Sequence, residues 1–267
     1  MASYLDARAH GGRWLVRIED LDRPREVPGA AARILGTLSA YGFEWDGSPT
    51  LQSGRMALYD EALASLRARR LTFECSCSRS QLAEFARYPG FCRSGARDTG
   101  EATATRLRVE PGYVVFEDRI QGAFRQDVAF SAGDPILRRR DGVVAYLLGV
   151  VVDDADQGVT HVVRGADLLD DTPRQILLQS ALQLPTPQYA HVPVLCEPDG
   201  AKLAKSRRSV PLQAHEAPGQ IVHMFELLGL DPPGTLRSAE IAEVWRWGVT
   251  HWSTARVPRV LQKGVFH

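Results

Sequence analysis

The sequence predicts an α/β protein with a parallel sheet, an insertion between the two halves of that sheet, and a short helical C-terminal tail. Apolar strand-like runs alternate with amphipathic helical patterns in residues 1–70 and again in residues 131–210, and such alternation is typical of βαβ units. Residues 71–130 instead combine short strand-like runs with turns, a glycine-rich stretch and three cysteines. Residues 211–267 return to helical spacing. We divide the chain into these four segments.

The first half of the sheet is predicted to contain one strand and three helices. A helical pattern covers residues 2–10, and the apolar run Trp14–Ile18 follows it as a strand. A second helix begins after Pro28 and ends near Gly42, because proline and glycine mark the two ends of a helix. Ser53 is the predicted N-cap of the third helix.

The second half is predicted to contain three buried strands and one helix. Val143–Val152 and Val159–Val163 are too apolar for a solvated surface, as expected for strands of a parallel sheet. Thr172 is the predicted N-cap of the helix, and Gln175 three residues later completes a capping-box pattern. The third strand is His191–Cys196.

The composition is that of a globular protein, and it argues against several classes of function. The chain has 267 residues, of which 44% are hydrophobic and 24% are charged. Its formal net charge of +0 argues against a module held on nucleic acid by bulk charge, although not against an enzyme with a local basic face. No apolar run approaches the roughly 18 residues of a membrane span, and no signal-peptide apolar region is present. We therefore expect a cytoplasmic protein without membrane contact.

A run of carboxylates is the first candidate functional motif. Arg17–Asp22 contains Glu19, Asp20 and Asp22 at the carboxyl end of a predicted strand, where open α/β sheets bind ligands. Such carboxylates could accept hydrogen bonds from a substrate ammonium group. The alternative is a solvated acidic turn in which Arg23 and Arg25 form surface ion pairs.

Lysine is rare in this sequence, and its placement is the second candidate signal. Only three of the 32 basic residues are lysines, and two of them, Lys202 and Lys205, lie three positions apart in Ala201–Ser206. A compact, mobile ammonium group suits phosphate charge that develops during a reaction. The alternative is a flexible basic loop.

Three clustered cysteines indicate a metal site. Cys75, Cys77 and Cys92 lie within eighteen residues, and four cysteines are too few for a disulfide scaffold of this length. A closed zinc site needs a fourth ligand, and no histidine occurs between residues 10 and 161. The nearby oxygen donors are Tyr88, Glu84 and Asp98. Unligated buried thiols are the alternative.

Three further residues each have a structural interpretation beside a functional one. Tyr146 lies in a strongly apolar run, which favours a core position. Arg164 lies at the end of a predicted strand, where it forms either a surface ion pair or an anion contact. Cys196 ends an apolar strand and is predicted to be a core thiol.

Taken together, the motifs resemble those of class I glutamyl-tRNA synthetases, and more closely those of their short paralogues, the glutamyl-Q tRNA(Asp) synthetases. The matching motifs, in order, are Arg17–Asp22 followed by Pro24-Arg25, Val151–Asp154, Val163–Leu168 and the KMSKS-like Lys202–Ser206. The resemblance runs from Met1 to about residue 210. Too few residues follow Ser206 for the anticodon-binding region of the longer enzymes. The fold implied is the Rossmann-like parallel sheet of class I synthetases with a zinc-bearing insertion at 71–130.

The resemblance also implies an activity and a substrate site. Members of the family activate glutamate with ATP to glutamyl-adenylate, with Mg²⁺ expected, and transfer the glutamate to the queuosine wobble base in the anticodon of tRNA(Asp). By this match, Glu19 contacts the amino group of glutamate, while Tyr146 and Arg164 provide two further glutamate contacts. Lys202 and Lys205 match the ATP-binding lysines, and Lys205 matches the catalytic one.

A metal site and an upstream segment are implied as well. The family's zinc ligands are three cysteines and a tyrosine, which correspond here to Cys75, Cys77, Tyr88 and Cys92. The family begins with a strand and a HIGH-like motif that opens the first helix, and Met1 falls inside that helix. We expect the natural protein to extend upstream of Met1, with the absent strand central in the sheet.

Three functions remain compatible with these residues. The first is the synthetase-like ligase, which we expect to be monomeric. The second is a catalytically inactive tRNA-binding paralogue. The third is a truncated glutamyl-tRNA synthetase-like or nucleotidyltransferase enzyme that forms an adenylate, in the latter case with another small acid. Glutamate-dependent exchange of pyrophosphate into ATP separates the first from the inactive protein and from an enzyme of another acid.

Overall fold

The computed structural model describes residues 1–22, 25–98, 100–196 and 212–264. The helices in these ranges are α1 (Ala2–Ala9), α2 (Ala30–Ala40), α3 (Met56–Ala68), α4 (Val128–Ser131), α5 (Tyr146–Asp156), α6 (Thr172–Leu182), α7 (Ala217–Leu227) and α8 (Ile241–His251). The strands are β1 (Arg17–Ile18), β2 (Thr50–Leu51), β3 (Thr72–Cys75), β4 (Ala104–Leu107), β5 (Tyr113–Asp118), β6 (Gly122–Asp127), β7 (Ile136–Arg138), β8 (His161–Gly165), β9 (Gln188–Val192), β10 (Val194–Cys196) and β11 (Gln262–Gly264). Within these ranges, no helix has the length and apolarity needed to span a membrane.

Parallel pairing occurs in both halves of the chain, as the sequence predicts. β1 pairs with β2, β8 with β9, and β10 with β11, all in parallel. The largest sheet has the order β6-β5-β9-β8, and a separate antiparallel sheet has the order β3-β4-β7. Within the described ranges, β1 has only β2 as a sheet partner and β8 has only β9.

The segment predicted as an insertion shares a sheet with the second half of the chain. β5 and β6 form an antiparallel hairpin, and β5 also runs parallel to β9 through the pair Asp118 and Tyr189. The boundaries at residues 71 and 130 therefore mark a change in sequence pattern and stay predictions, because the hairpin of β5 and β6 belongs to the main sheet.

The first predicted strand is shorter than expected. Only Arg17–Ile18 forms β1, whereas Trp14–Ile18 was the predicted strand. The backbone N–H of Trp14 donates to the Asp46 carboxylate at 2.8 Å, and its indole N–H donates to the Ser3 hydroxyl at 3.0 Å. These local bonds hold Trp14 against the rings of Tyr4 and Phe43 and outside a strand ladder.

The prediction of Ser53 as an N-cap is wrong. Its backbone N–H and its hydroxyl both donate to the Asp20 carboxylate, at 2.8 and 2.5 Å. The chain there forms a 3₁₀ turn, Gln52–Arg55, and α3 begins only at Met56. The Ser53 hydroxyl is therefore a donor to Asp20, and no side chain caps α3.

The predicted strand Val143–Val152 is mostly helix. α5 covers Tyr146–Asp156 and packs against α3 and α6. Leu148, Val150 and Val151, which point in different directions around one turn of the helix, are all buried. A helix buried nearly all round has no apolar stripe, so hydrophobic periodicity cannot separate it from a buried strand.

The two following strands are displaced from their predicted positions. β8 is His161–Gly165, two residues later than Val159–Val163. The predicted strand His191–Cys196 is divided into β9 and β10 at Pro193. Proline has no N–H to donate to a sheet ladder, which accounts for the break. Cys196 is buried, as predicted.

The C-terminal tail is helical in its described part and completes one of two apolar cores. In this core Leu5 of α1 packs with Ile221 and Phe225 of α7 and with Trp245 of α8. A second core joins α3, α5 and α6 around residues such as Tyr59, Leu148 and Leu178.

Asp6 ties the first core to the main sheet. Its carboxylate accepts two hydrogen bonds from Arg119 at 2.7 and 3.0 Å and one from the Trp252 indole at 2.9 Å. Burial alone would raise the pKa of Asp6, but Arg119 and Trp252 hold the pKa below its ordinary value. The carboxylate therefore stabilises the fold in its charged form.

We predict that Asp6→Ala lowers the free energy of unfolding at pH 7 by about 3–5 kcal/mol, because it leaves the Arg119 guanidinium without its partner. The control Asp60→Ala removes a carboxylate that pairs with Arg138 and is 57% exposed, compared with 4% for the Asp6 side chain. It should lower the free energy of unfolding by about 1 kcal/mol or less. Urea unfolding measures both. Because the folded-state pKa of Asp6 is lowered, its contribution is fully present above about pH 3.9 and is lost as the pH falls through the folded-state value. Equal losses for the two variants would contradict this role.

Candidate functional site

Of the three carboxylates after β1, one is left for a ligand. Asp20 is occupied by Ser53, and Asp22 forms ion pairs with Arg25 and with Arg139, the latter at 2.6 Å. Glu19 is exposed and makes no hydrogen bond or ion pair among the described residues. The solvated-turn interpretation thus fits Asp22, whereas Glu19 has a free carboxylate.

Both a positively charged side chain and negatively charged side chains act on Glu19. Desolvation by the surrounding protein raises the pKa of Glu19, Arg17 opposes this change, and Asp154 and Asp153 add to it. Arg17 itself donates to Asp154 at 2.8 Å. Asp154 also has a raised pKa, chiefly through burial. A cationic group bound beside Glu19 would relieve this accumulation of negative charge.

Tyr146 lies at the site and not in the core. It is the first residue of α5 and 42% exposed, so the core interpretation favoured by its apolar neighbours is wrong. Partial burial raises the pKa of the Tyr146 hydroxyl, the Arg164 charge lowers it, and the Glu19 charge raises it. Tyr146, at the start of α5, is thus close enough to both Glu19, just after β1, and Arg164 of β8 to be affected by their charges.

A buried carboxylate holds α5 in this position. Asp153 has no solvent exposure and accepts hydrogen bonds from Gln52 at 2.7 Å, Arg55 at 2.6 Å and Tyr59 at 2.8 Å. All three donors come from α3 or from the turn before it. The network fixes α5 against α3, and with it the position of Tyr146 at the other end of the helix.

Arg164 is oriented by two side chains. Its Nε donates to His191 Nε2 at 3.0 Å, and its Nη2 donates to the Thr172 hydroxyl at 2.8 Å. The prediction of Thr172 as an N-cap is wrong: Asp171 holds that position, no side chain caps the helix, and the Thr172 hydroxyl instead donates to the Leu168 carbonyl. Gln175 is buried and completes no capping box.

His191 and Asp118 are the residues that sequence reasoning missed. Both are buried, and His191 Nδ1 lies 2.6 Å from an Asp118 carboxylate oxygen. The sequence contains one available signal, a histidine at the start of an otherwise apolar strand. The aspartate lies 73 positions away, and no local pattern connects the two.

The three clustered cysteines could bind a metal ion. Their sulfur atoms all lie within 4.8 Å of one another, and those of Cys77 and Cys92 are 3.6 Å apart. A tetrahedral zinc site with Zn–S bonds of about 2.3 Å requires sulfur separations of about 3.8 Å. Burial and the neighbouring thiols raise the pKa of Cys77 to about 11. Although burial opposes it, hydrogen bonds from backbone N–H groups and from Tyr88 lower the pKa of Cys92 to about 6.

The structure distinguishes between the candidates for the fourth ligand. The Tyr88 hydroxyl lies 3.4 Å from Cys75 Sγ and accepts the Cys92 backbone N–H at 2.8 Å. Glu84 and Asp98 are both exposed, and neither carboxylate is among the groups that could share a metal ion with the thiols. Tyr88 is therefore the oxygen donor that fits the site. Lys202 and Lys205 lie outside the described residues.

Comparison with known proteins gives concordant matches. A sequence model described as tRNA synthetases class I (E and Q), catalytic domain, matches residues 1–89 and 91–240. The glutamyl-Q tRNA(Asp) synthetase of Ectopseudomonas mendocina is 54% identical over 97% of this chain and 88% of its own length. The protein of the same name from Pseudomonas fluorescens is 51% identical over 98% of this chain and 88% of its own length.

Two solved structures share the fold. The glutamate-tRNA synthetase of Elizabethkingia anophelis aligns with a TM-score of 0.82 and 20% identity over 99% of this chain. The glutamate tRNA ligase of Elizabethkingia meningosepticum, in complex with its amino acid, aligns with a TM-score of 0.79 and 20% identity over 97%. This chain spans 63% and 61% of those two chains. The predicted class I synthetase fold is thereby confirmed.

Proposed function

Because this chain belongs to the family of class I tRNA synthetases (E and Q), we propose that it activates glutamate with ATP to glutamyl-adenylate and transfers the glutamate to the queuosine wobble base of tRNA(Asp). Relatives that are 54% and 51% identical to this chain are named glutamyl-Q tRNA(Asp) synthetases, and we bring the activity that this name denotes to this chain. It also accounts for the chemistry of the site.

The observation that carries the proposal is that Tyr146 lies within electrostatic range of both Glu19 and Arg164. Glu19 offers an unpaired carboxylate for the α-ammonium group of an amino acid. Arg164 offers a guanidinium whose Nη1 has no hydrogen-bond partner among the described residues, and a guanidinium suits a side-chain carboxylate. Tyr146, itself 42% exposed, adds a hydroxyl that is affected by both charges. A cationic and an anionic group so placed match an acidic amino acid.

The site would bind glutamate and leave its α-carboxylate free to react. One α-carboxylate oxygen attacks the α-phosphorus of ATP, the bond to pyrophosphate breaks, and a mixed anhydride forms. Lys202 and Lys205 would bind the phosphates together with Mg²⁺, and Lys205 would stabilise the charge that moves onto pyrophosphate. A nucleophilic group of queuosine then attacks the carbonyl carbon of the adenylate, and AMP leaves.

The test has two stages on the full-length protein. Labelled pyrophosphate should exchange into ATP only when glutamate is present. Labelled glutamate should then attach to tRNA(Asp) that contains queuosine and not to tRNA(Asp) that lacks it. An absence of exchange would support an inactive tRNA-binding paralogue. Exchange driven by another acid, or label at the 3′ end of tRNA, would replace the proposal with another enzyme of this fold.

We predict that Arg164→Ala raises the KM for glutamate about tenfold or more, because a hydrogen bond to a charged group contributes about 1.5–3 kcal/mol. The KM for ATP should change by less than about twofold, since Arg164 is proposed to contact only the amino acid. The control is Arg67→Ala, which removes an exposed arginine paired with Glu74 and should change neither constant. Pyrophosphate exchange measures all of them, and equal effects on glutamate and ATP would argue against the assignment.

We propose that Cys75, Cys77, Tyr88 and Cys92 hold one structural zinc ion. Metal analysis should find close to one equivalent of zinc in protein purified without added metal. Cys77→Ser should lose the metal, and Tyr88→Phe should release it at a lower chelator concentration. Cys196→Ser is the matched control, because this buried thiol lies outside the cluster. A metal-free wild-type protein, or a Cys77→Ser variant that retains zinc, would overturn the assignment.

A further inference from the structure

The Arg164 guanidinium is the end of a chain of buried polar groups. Asp118 contacts His191 at 2.6 Å, and His191 contacts Arg164 at 3.0 Å. The side chains of Asp118 and His191 are both 0% exposed. Buried polar groups of this kind are costly unless each is hydrogen-bonded, and here every member has a partner.

The hydrogen bonds of Asp118 decide which nitrogen of His191 carries a proton. One carboxylate oxygen accepts the backbone N–H groups of Ile120, Gln121 and His191, and the other faces His191 Nδ1. These donors and His191 lower the pKa of Asp118 against the effect of burial, so the group is an acceptor. His191 must therefore carry its hydrogen on Nδ1.

This tautomer leaves Nε2 as an acceptor for Arg164. Nε2 accepts the Nε–H of Arg164 in the neutral ring. With a second proton on the ring, the N–H at Nε2 and the Nε–H of Arg164 would both be donors in the same contact. The imidazolium would also place a positive charge beside the guanidinium. The contact with Arg164 thus requires neutral His191 protonated on Nδ1.

The remaining contacts fix the rotation of the guanidinium. Nη2 contacts the Thr172 hydroxyl at 2.8 Å and the Leu168 carbonyl at 3.4 Å. The Arg164 guanidinium carbon lies 5.3 Å from the centre of the Tyr189 ring. The protein thus occupies the Nε and Nη2 side of the group and leaves Nη1 without a partner among the described residues.

We propose that His191 and Asp118 are positioning residues that hold Arg164 with Nη1 presented to the carboxylate of the amino-acid substrate. The inference deepens the proposed function and rests on it for the identity of that substrate. Without the acceptor at Nε2, the guanidinium would keep only its Nη2 contacts with Thr172 and Leu168 and would have more orientations, and binding would bear the entropy of choosing one.

The kinetic test compares variants that lose the acceptor at His191 Nε2 with a variant that keeps an acceptor close to that position. His191→Leu removes the acceptor, whereas His191→Gln keeps a carbonyl oxygen close to the position of Nε2. Asp118→Asn can donate to Nδ1 and so move the imidazole proton to Nε2. We expect His191→Leu and Asp118→Asn to raise the KM for glutamate about tenfold with little change for ATP, and His191→Gln to recover most of the loss.

The matched control is Asp134→Asn. Asp134 is a buried carboxylate that pairs with Arg93, a residue of the inserted segment. The same substitution there tests the general effect of losing a buried charge. It should lower the melting temperature without changing the ratio of the two KM values. Equal changes of both KM values in His191→Leu, Asp118→Asn and Asp134→Asn would overturn the inference.

A second readout does not depend on catalysis. In ¹⁵N-labelled protein the Nε–H signal of Arg164, assigned through Arg164→Lys, should be protected from solvent exchange. The protection should be lost in His191→Leu and Asp118→Asn and kept in Asp134→Asn. Protection that survives in His191→Leu would overturn the inference even if the wild-type protein showed no exchange activity. An inactive wild-type protein with the expected signals would instead contradict the proposed function alone.

Discussion

The constraint on which this structure depends is that a carboxylate removed from water must be fully hydrogen-bonded. Asp6, Asp118 and Asp153 are each at most 3% exposed, and each joins segments far apart in the sequence. Asp6 connects α1 with Arg119 and Trp252. Asp153 connects α5 with the turn and helix that contain Gln52, Arg55 and Tyr59, and Asp118 connects β5 with β9. The apolar cores are non-directional, whereas these hydrogen bonds hold specific elements in a defined orientation to one another.

Much of the fold could be predicted from local pattern, and two of the errors share one cause. The helices α1 and α2 lie where apolar spacing and glycine or proline boundaries place them. The prediction failed where a distant residue took over a local role. Asp20 satisfies Ser53, so no N-cap forms there. α5 packs against α3 and α6, and Leu148, Val150, Val151 and Val152 are all buried, so this part of the helix shows no alternation of apolar and polar residues. Long-range partners of this kind are invisible to any pattern that reads adjacent residues.

The candidate site also contains residues that the sequence identified and residues that it missed. The sequence singled out the acidic run, Tyr146 and Arg164, and the family resemblance selected Glu19 from that run and assigned the roles. The structure places Tyr146 close enough to both Glu19 and Arg164 to be affected by their charges. Without the resemblance, the local pattern could not separate Glu19 from Asp20 and Asp22, because the difference lies in which carboxylates have partners elsewhere. It also could not find His191, since a histidine in an apolar strand is as compatible with a packing role as with a polar one. Only the positions of Asp118 and Arg164 decide between the two.

The position of Asp118 changes how the inserted segment should be understood. The three thiols lie early in residues 71–130, and the resemblance describes that segment as the zinc-bearing part. Asp118 belongs to the same segment, at the end of β5, where that strand joins the main sheet beside Tyr189 of β9. One end of the segment therefore holds the thiol cluster, and the other anchors the imidazole that contacts Arg164. Because the hairpin of β5 and β6 completes the main sheet, the segment cannot be removed without exposing the edge of β9. A boundary at residue 130, drawn on composition alone, thus separates Asp118 from His191 and Arg164, although hydrogen bonds join the three residues. The contact that orients Arg164 therefore includes a residue of the inserted segment.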